Sequence, residues 1–264
     1  MQLAQQKYSK LLNTVYIKPN VRGKTFFQDQ IGEWAMSTKG GRNVQTPNND
    51  PNLARRMGVM LDYHDNRMLD RGDELKCISD PRSAYTIAAA RSLGRKIDDV
   101  IIAAAVSTTT ASGETGSTTA PTCASVTITT GSLYITDVAE MKLALDNSDV
   151  EAEDRYLVIT PTLLSSALQQ TTMTSADYAA VKALVNGEID TFMGFKWIVS
   201  TRIAEQSGLE GLVYHKNALC LAMAAQPMVR TDERADLSYS WQVYYELNCG
   251  AVRLEESRIR KIRT

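Results

Sequence analysis

Between Ala90 and Ala104 the apolar residues Ala90, Leu93, Ile97, Val100, Ile101 and Ala104 recur at steps of three and four. That spacing predicts a helix with one apolar face. Asp80 offers a helix-capping side chain, and Pro81 suits the first helical position, where no backbone N–H is needed. Arg91, Arg95, Lys96, Asp98 and Asp99 fall mostly off the stripe. Asp98 and Asp99 are neighbours pointing in different directions, so both are expected to be solvated. A helix from Asp80 to Val106 would span about 39 Å, the width of a small domain.

A different rhythm closes the chain. Leu237, Tyr239, Trp241, Val243, Tyr245, Leu247 and Cys249 alternate with Ser238, Ser240, Gln242, Tyr244, Glu246 and Asn248. Period two with one polar face predicts a half-buried antiparallel strand, suited to lie against the helix. Gly250 is expected to end it, with Ala251–Leu254 as a return strand.

Ahead of the helix the pattern reads as arms. Leu3, Tyr8, Leu11, Leu12 and Val15 form a short amphipathic helix pattern that Pro19 stops. Lys24–Met36 and Arg55–Tyr63 are strand-like, and STKGGRNVQTPNNDPNL between them is loop chemistry. Together they predict a long hairpin. A two-stranded hairpin is barely stable alone, so its apolar residues are expected to find a surface, a neighbouring copy before its own body. Residues 65–79 read as a polar linker.

After the helix, Ser107–Ser132 is rich in Ser, Thr and Gly, with Val126 and Ile128 marking a short strand. An alternating module follows. It comprises a helix at Ile135–Asn147, a strand at Arg155–Thr160, helices at Pro161–Gln170 and Ser175–Val185, and a strand at Phe192–Thr201. The apolar run Leu212–Ala224 fits a strand or a short helix equally well.

Composition sets the bounds. The chain has 264 residues, 44% of them hydrophobic, enough for one large domain or two small ones. Lys plus Arg is 29 and Asp plus Glu is 30, so no global charge attracts nucleic acid or a membrane. No apolar run is long enough to cross a bilayer, and none resembles a secretory leader. Cys77, Cys123, Cys220 and Cys249 stand apart without a C-x-x-C pair, as expected of reduced, buried thiols.

Catalytic patterns fail on inspection. Gly23-Lys24-Thr25 resembles the end of a phosphate-binding loop, but that motif needs a glycine where Lys18 stands. No G-x-G-x-x-G follows a strand, and there is no nucleophile elbow. His64 and His215 lack partners at metal-ligand spacing, and Asp70, Asp73 and Glu74 lack the spacing of a calcium loop. No catalytic residue, cofactor or metal is expected. The basic tail Arg253, Arg258, Arg260, Lys261 and Arg263 reads first as a charged edge strand and second as a surface facing DNA phosphates.

Arm, hairpin, capped helix, α/β module and closing strand stand in an order that resembles the major capsid protein of tailed bacteriophages, a fold shared with encapsulin shells and herpesvirus capsid floors. Local motifs carry the likeness: Asp80-Pro81, Gly94-Arg95 followed by Asp98, Asp154-Arg155, Gly194-Phe195 with Ile198 and Ser200, His215-Lys216 with Ala218 and Leu219, and Gly250-Ala251-Val252-Arg253 with Ile262.

The resemblance implies an α+β fold with an N-terminal arm (1–23) and an extended loop (24–64). A peripheral domain (65–133 and 228–264) would carry the spine helix and antiparallel sheet, beside an axial α/β domain (134–227). It implies a non-enzymatic subunit that self-assembles as pentamers and hexamers into the icosahedral head of a tailed phage. That shell would enclose double-stranded DNA, in the virion, after assembly in the host cytoplasm. Expected partners are further copies, a separate scaffolding protein, a portal, a decoration protein and non-specifically contacted DNA, with no membrane. Candidate intersubunit contacts are Phe26, Phe27, Ile31, Trp34, Met57, Val59, Leu11 and Leu12. Arg258, Arg260, Lys261 and Arg263 are the candidate DNA-facing or edge-strand cations. The competing readings are an encapsulin-like compartment around protein cargo and a small-molecule enzyme built on residues 134–227.

Overall fold

The computed structural model describes residues 8–32, 36–45, 53–70, 72, 81–107, 111–112, 118–119, 123–128, 132–169, 191–205, 208–224 and 227–263. Helix α1 spans Pro81–Val106, as the spacing predicts; Asp80 lies outside the described residues. Ala89, Leu93, Ile97, Ile101, Ile102 and Ala105 form its buried face. Ala90 is exposed, and Ala89 takes the place expected for it. Asp98 is a correction: it is fully buried rather than solvated. Asp99 is half-buried and held by both nitrogen arms of Arg202, each at 2.7 Å.

The apolar face of α1 rests on strand β14 (Ser240–Arg253), where Val243, Tyr245, Leu247 and Cys249 share its core. Their period-two spacing puts all four on one side of the sheet. β14 differs from expectation at both ends. Leu237 and Tyr239 lie in the preceding turn and are exposed. Gly250 does not stop the strand, which runs on to Arg253 paired with β12 (Leu219–Met223). A Cβ at Gly250 would sit 2.2 Å from the carbonyl oxygen of Val59. Glycine is there to admit a neighbouring backbone, not to break the strand.

That neighbour leads into β4 (Leu61–Leu69), which pairs antiparallel with β14 from Cys249 to Trp241. Residues 65–69 are therefore strand, not linker. Their run DNRML lacks alternation because β4 is half-exposed and pairs through its backbone. With β13 (Met228–Arg234) and β1 (Tyr16–Lys18), these strands make a five-stranded sheet. β1 lies parallel to β12. The expected N-terminal helix is replaced, over its described part, by a 3-10 turn at Leu12–Thr14 and this short strand. One tight turn suffices to bury both Leu11 and Val15.

A second sheet has the order β7 (Ser125–Thr127), β15 (Ile259–Arg263), β11 (Gly211–His215), β8 (Arg155–Ile159), β10 (Phe195–Val199), β9 (Thr191–Phe192). β8 and β11 are buried at every position, the apolar stretches Tyr156–Ile159 and Leu212–Tyr214 together with the buried polar side chains of Arg155 and His215. Helices α2 (Ile135–Asp146) and α3 (Pro161–Gln169) cover it through Val138, Met141, Leu145, Leu163 and Ala167. The ambiguous run from Leu212 resolves into two strands, β11 and β12, joined by a 3-10 turn at Lys216–Ala218 and belonging to different sheets. The helix expected at Ser175–Val185 lies outside the described residues.

A third sheet holds the predicted hairpin. β2 (Thr25–Ile31) pairs with β3 (Leu53–Val59), and β3 pairs in turn with β5 (Ala111–Ser112), itself joined to β6 (Thr118–Thr119). The Ser/Thr-rich tract thus supports the hairpin, which a two-stranded ribbon would lack.

Candidate assembly surface

The register of β2 and β3 sorts the hairpin into two faces, because directly opposed residues share a side and successive residues alternate. One face carries Phe26, Gln28, Gln30, Ala54, Arg56 and Gly58, and it is clamped to the chain's own body. Phe26 packs with Met60, Cys220, Ala222, Val252 and Leu254. Gly58 opposite leaves room for the ring, since a Cβ there would fall 2.2 Å from the Phe26 Cζ. Gln30 Nε2 donates to the Leu254 carbonyl at 2.6 Å. Arg56 donates to the same carbonyl at 3.0 Å and to Glu256 at 2.8 Å. The hairpin does fold back on its own body, through this one face.

The other face carries Thr25, Phe27, Asp29 and Ile31 on β2, with Val59, Met57, Arg55 and Leu53 opposite them. Ile31 and Leu53, a directly opposed pair, are 69% and 70% exposed. Val59 is also exposed, and Phe27 and Met57 are half-buried. At the centre Arg55 Nε donates to Asp29 at 2.5 Å while its guanidinium lies 5.5 Å from the Phe27 ring centre. Hydrogen bonding from Arg55 holds the Asp29 carboxyl below its ordinary range. In water such an exposed pair contributes little. The face therefore presents two apolar patches separated by a pre-formed ion pair.

Of the residues proposed for neighbour contacts, Phe27, Ile31, Met57 and Val59 fall together on this open face. Phe26 lies on the clamped one. Leu11 is fully buried and Leu12 packs at the edge of the main core, so the side chain of Leu11, like that of Phe26, has no surface to offer. Trp34 lies outside the described residues. Leu53 was missed because it falls two residues before the strand-like run; its register opposite Ile31 reveals it.

The basic tail is mostly committed inside the subunit. β15 runs between β7 and β11, so it is not an edge strand. Lys261 is 3% exposed and donates to the Val106 carbonyl, the last of α1, at 2.7 Å. Arg253, fully buried, donates to the Ser107 carbonyl at 2.7 Å. Two cations thus meet the negative end of the long helix. Arg260 donates to the carbonyls of Ser257 and Ile259 at 2.8 and 2.9 Å. Arg258 pairs with Glu255, and Arg263 is exposed.

His215 is buried; its Nδ1 accepts from the Asn217 N–H at 3.2 Å, and its Nε2 lies 3.5 Å from Glu151. Burial, with the Arg258 charge second, lowers its pKa. His64 lies on β4, where a groove of about 360 Å³ opens between β4 and α1, lined by Tyr63, Leu93, Lys96 and Tyr245 among others. Lys96 sits 4.3 Å from the Tyr63 ring centre. Cys123, Cys220 and Cys249 are free and buried; burial pushes Cys220 and Cys249 up to about 11. Cys77 lies outside the described residues. Among the described residues no group of three or more His, Cys, Asp or Glu is placed to hold a metal. No helix there is long and apolar enough to cross a membrane.

A spine helix laid across one sheet, an α/β sheet joined to it by short links, and a hairpin projecting an open face define a tailed-phage capsid fold. The cyanophage P-SCSP1u capsid shares it at TM-score 0.78 and 17% identity, covering 100% of this chain and 90% of that one. The Ralstonia phage GP4 capsid matches at TM-score 0.74 and 11% identity over 100% and 93%. A Mycobacterium phage Che8 chain matches at 0.73 and 14% over 99% and 93%. No curated protein matches the sequence. The phage capsid protein family model matches residues 1–264, and the chain belongs to that family. It is a major capsid protein, a structural subunit of a phage head shell.

Proposed function

We propose that the chain assembles with copies of itself, as pentamers and hexamers, into an icosahedral shell around double-stranded DNA. The open face of the β2–β3 hairpin is the surface each copy lays on the next. The observation that carries this is the contrast between the hairpin's faces. One is clamped by Phe26, Gln30 and Arg56, and the other leaves Ile31 and Leu53 about 70% exposed. Burying that face on a neighbour removes apolar surface from water and desolvates the Asp29–Arg55 pair as a unit. Many such modest contacts per shell add by multivalency.

Within the subunit, residues 65–133 and 228–264 form the peripheral domain and residues 134–227 the axial domain. β12 of the axial range pairs into the five-stranded sheet and β15 of the peripheral range into the six-stranded one. The arm covers residues 1–23 and the extended loop residues 24–64. Assembly takes place in the host cytoplasm with a separate scaffolding protein, and the shell meets a portal and a decoration protein. Contact with packaged DNA is non-specific, and the exposed Arg263 is the tail cation best placed for it.

The test is the double substitution Ile31→Asp with Leu53→Asp. Both residues are on the open face, so circular dichroism of the subunit is expected to stay unchanged while sedimentation and negative-stain microscopy show no shells. Normal shells from a folded double variant would refute this role for the hairpin.

A further inference from the structure

We propose that Asp98 is the latch of an N-terminal strap, residues 9–18, that ties the two large sheets together and so sets the curvature of the assembled shell. The proposal rests on the shell reading above. Asp98 is 0% exposed and receives the Ser9 hydroxyl at 2.6 Å, the Leu11 N–H at 3.1 Å and the Lys10 N–H at 3.2 Å. One helical turn earlier, Gly94 provides the clearance; a Cβ there would meet the Ser9 nitrogen at 3.0 Å. Gly94 and Asp98, four residues apart on one helix face, thus form a single seat for the strap. This gives the Gly-Arg-x-x-Asp motif of α1 a physical role.

From that seat the strap reaches both sheets. Lys10 Nζ donates to the Val199 carbonyl of β10 at 2.6 Å, and Thr14 shares a 2.6 Å hydrogen bond with the Tyr214 hydroxyl of β11, both in the six-stranded sheet. Tyr16–Lys18 then pair with Cys220–Ala222 of β12 in the five-stranded sheet. Leu11 and Val15 fill the core between them, beside Leu93, Ile97, Leu212 and Leu219. The two sheets are also joined by the turn at Lys216–Ala218, by the segment 254–258 and by the path through α1 to β7. α1 itself holds the six-stranded side through the Asp99–Arg202 pair and the Lys261–Val106 hydrogen bond. The strap adds a separate tie, running from Asp98 past β10 and β11 to β12. A carboxylate buried without its donors is strongly disfavoured, so docking and burial of Asp98 occur together and the strap is either seated or released.

The experiment uses the full chain and compares wild type with Asp98→Ala, and with Ser9→Ala plus Thr14→Val, which removes strap contacts without altering the helix. Amide hydrogen exchange is expected to accelerate at least about tenfold over residues 11–18, the loss of charge-assisted hydrogen bonds. Protection of β8 and β14 should stay intact. Shells from either variant are expected to vary in diameter or to open into sheets. Unchanged exchange over the strap in both variants would overturn the latch. Released strap with shells of wild-type size and uniformity would overturn the link to curvature. If wild type itself never forms shells, the shell reading fails, and the exchange data still decide the latch.

Discussion

Lys261→Met tests whether the basic tail serves the fold or an external phosphate. Methionine has nearly the length of lysine and fills the same space, so packing changes little. What is lost is the ammonium that the Val106 carbonyl accepts from at 2.7 Å, at the end of a helix 26 residues long. Leaving a buried carbonyl without its donor costs roughly 1–3 kcal/mol, and a cation near a helix C-terminus contributes up to about 2 kcal/mol in partly buried settings. Against this, methionine avoids the desolvation of an ammonium, which can make replacement of a buried charge neutral. The residual should be about 1–2 kcal/mol of destabilisation, because Arg253 still serves the Ser107 carbonyl. For a chain of this size that lowers Tm by about 2–8 °C. The assay is thermal unfolding of unassembled subunits, with urea midpoints at constant slope as a control. A variant as stable as wild type would refute the capping argument. A Tm that is unchanged while DNA packaging falls would restore the phosphate-facing role.

Two further outcomes follow from the same physics. Gly250→Ala must push the Val59 carbonyl aside from a 2.2 Å approach, so we expect about 1–3 kcal/mol of destabilisation, read as a lowered Tm of the subunit; an unchanged Tm would mean that the β3–β4 corner yields freely. His215 has a folded pKa below its unfolded value of 6.5, so the unfolded state binds more protons. Its contribution is therefore fully present above pH 6.5 and is lost as pH falls through the folded pKa. Urea midpoints should drop between pH 7 and pH 5, and His215→Gln should flatten that slope; an identical slope in the variant would assign it to other groups.

Much of the fold was legible because two periods dominate the chain. The three- and four-residue steps of α1 and the alternation from Val243 to Cys249 each report one buried face, and those faces meet. What was not legible was pairing through backbone alone. The second half of β4, with Asp65, Asn66 and Arg67, reads as the start of a linker, yet its main chain completes a sheet with β14. Gly250 shows a similar limit, since a glycine that ends a strand and one that admits a neighbouring backbone look the same until the neighbour is placed. The candidate surface was half legible. Strand character located Phe26 and Phe27 together, but only the register could send one inward and the other out.

The charged groups misread from the sequence share a cause. Asp, Lys and Arg are almost never fully buried unless paired, so composition assigns Asp98, Arg253 and Lys261 to the surface. Most of the partners described for them are backbone groups, which carry no signature in sequence. Asp98 collects the N–H groups of the strap, while Arg253 and Lys261 collect the carbonyls at the far end of the same helix. The helix is thus held by an anion receiving one segment and by cations closing its terminus. These groups sit where α1, the strap and both sheets converge. Surface charges would leave that junction to apolar contact, which is non-directional; hydrogen-bonded buried charges add a defined orientation. For a subunit repeated in a phage head shell, an error in that orientation is repeated in every copy, so under the latch proposal Asp98, Arg253 and Lys261 bear on assembly from inside the subunit.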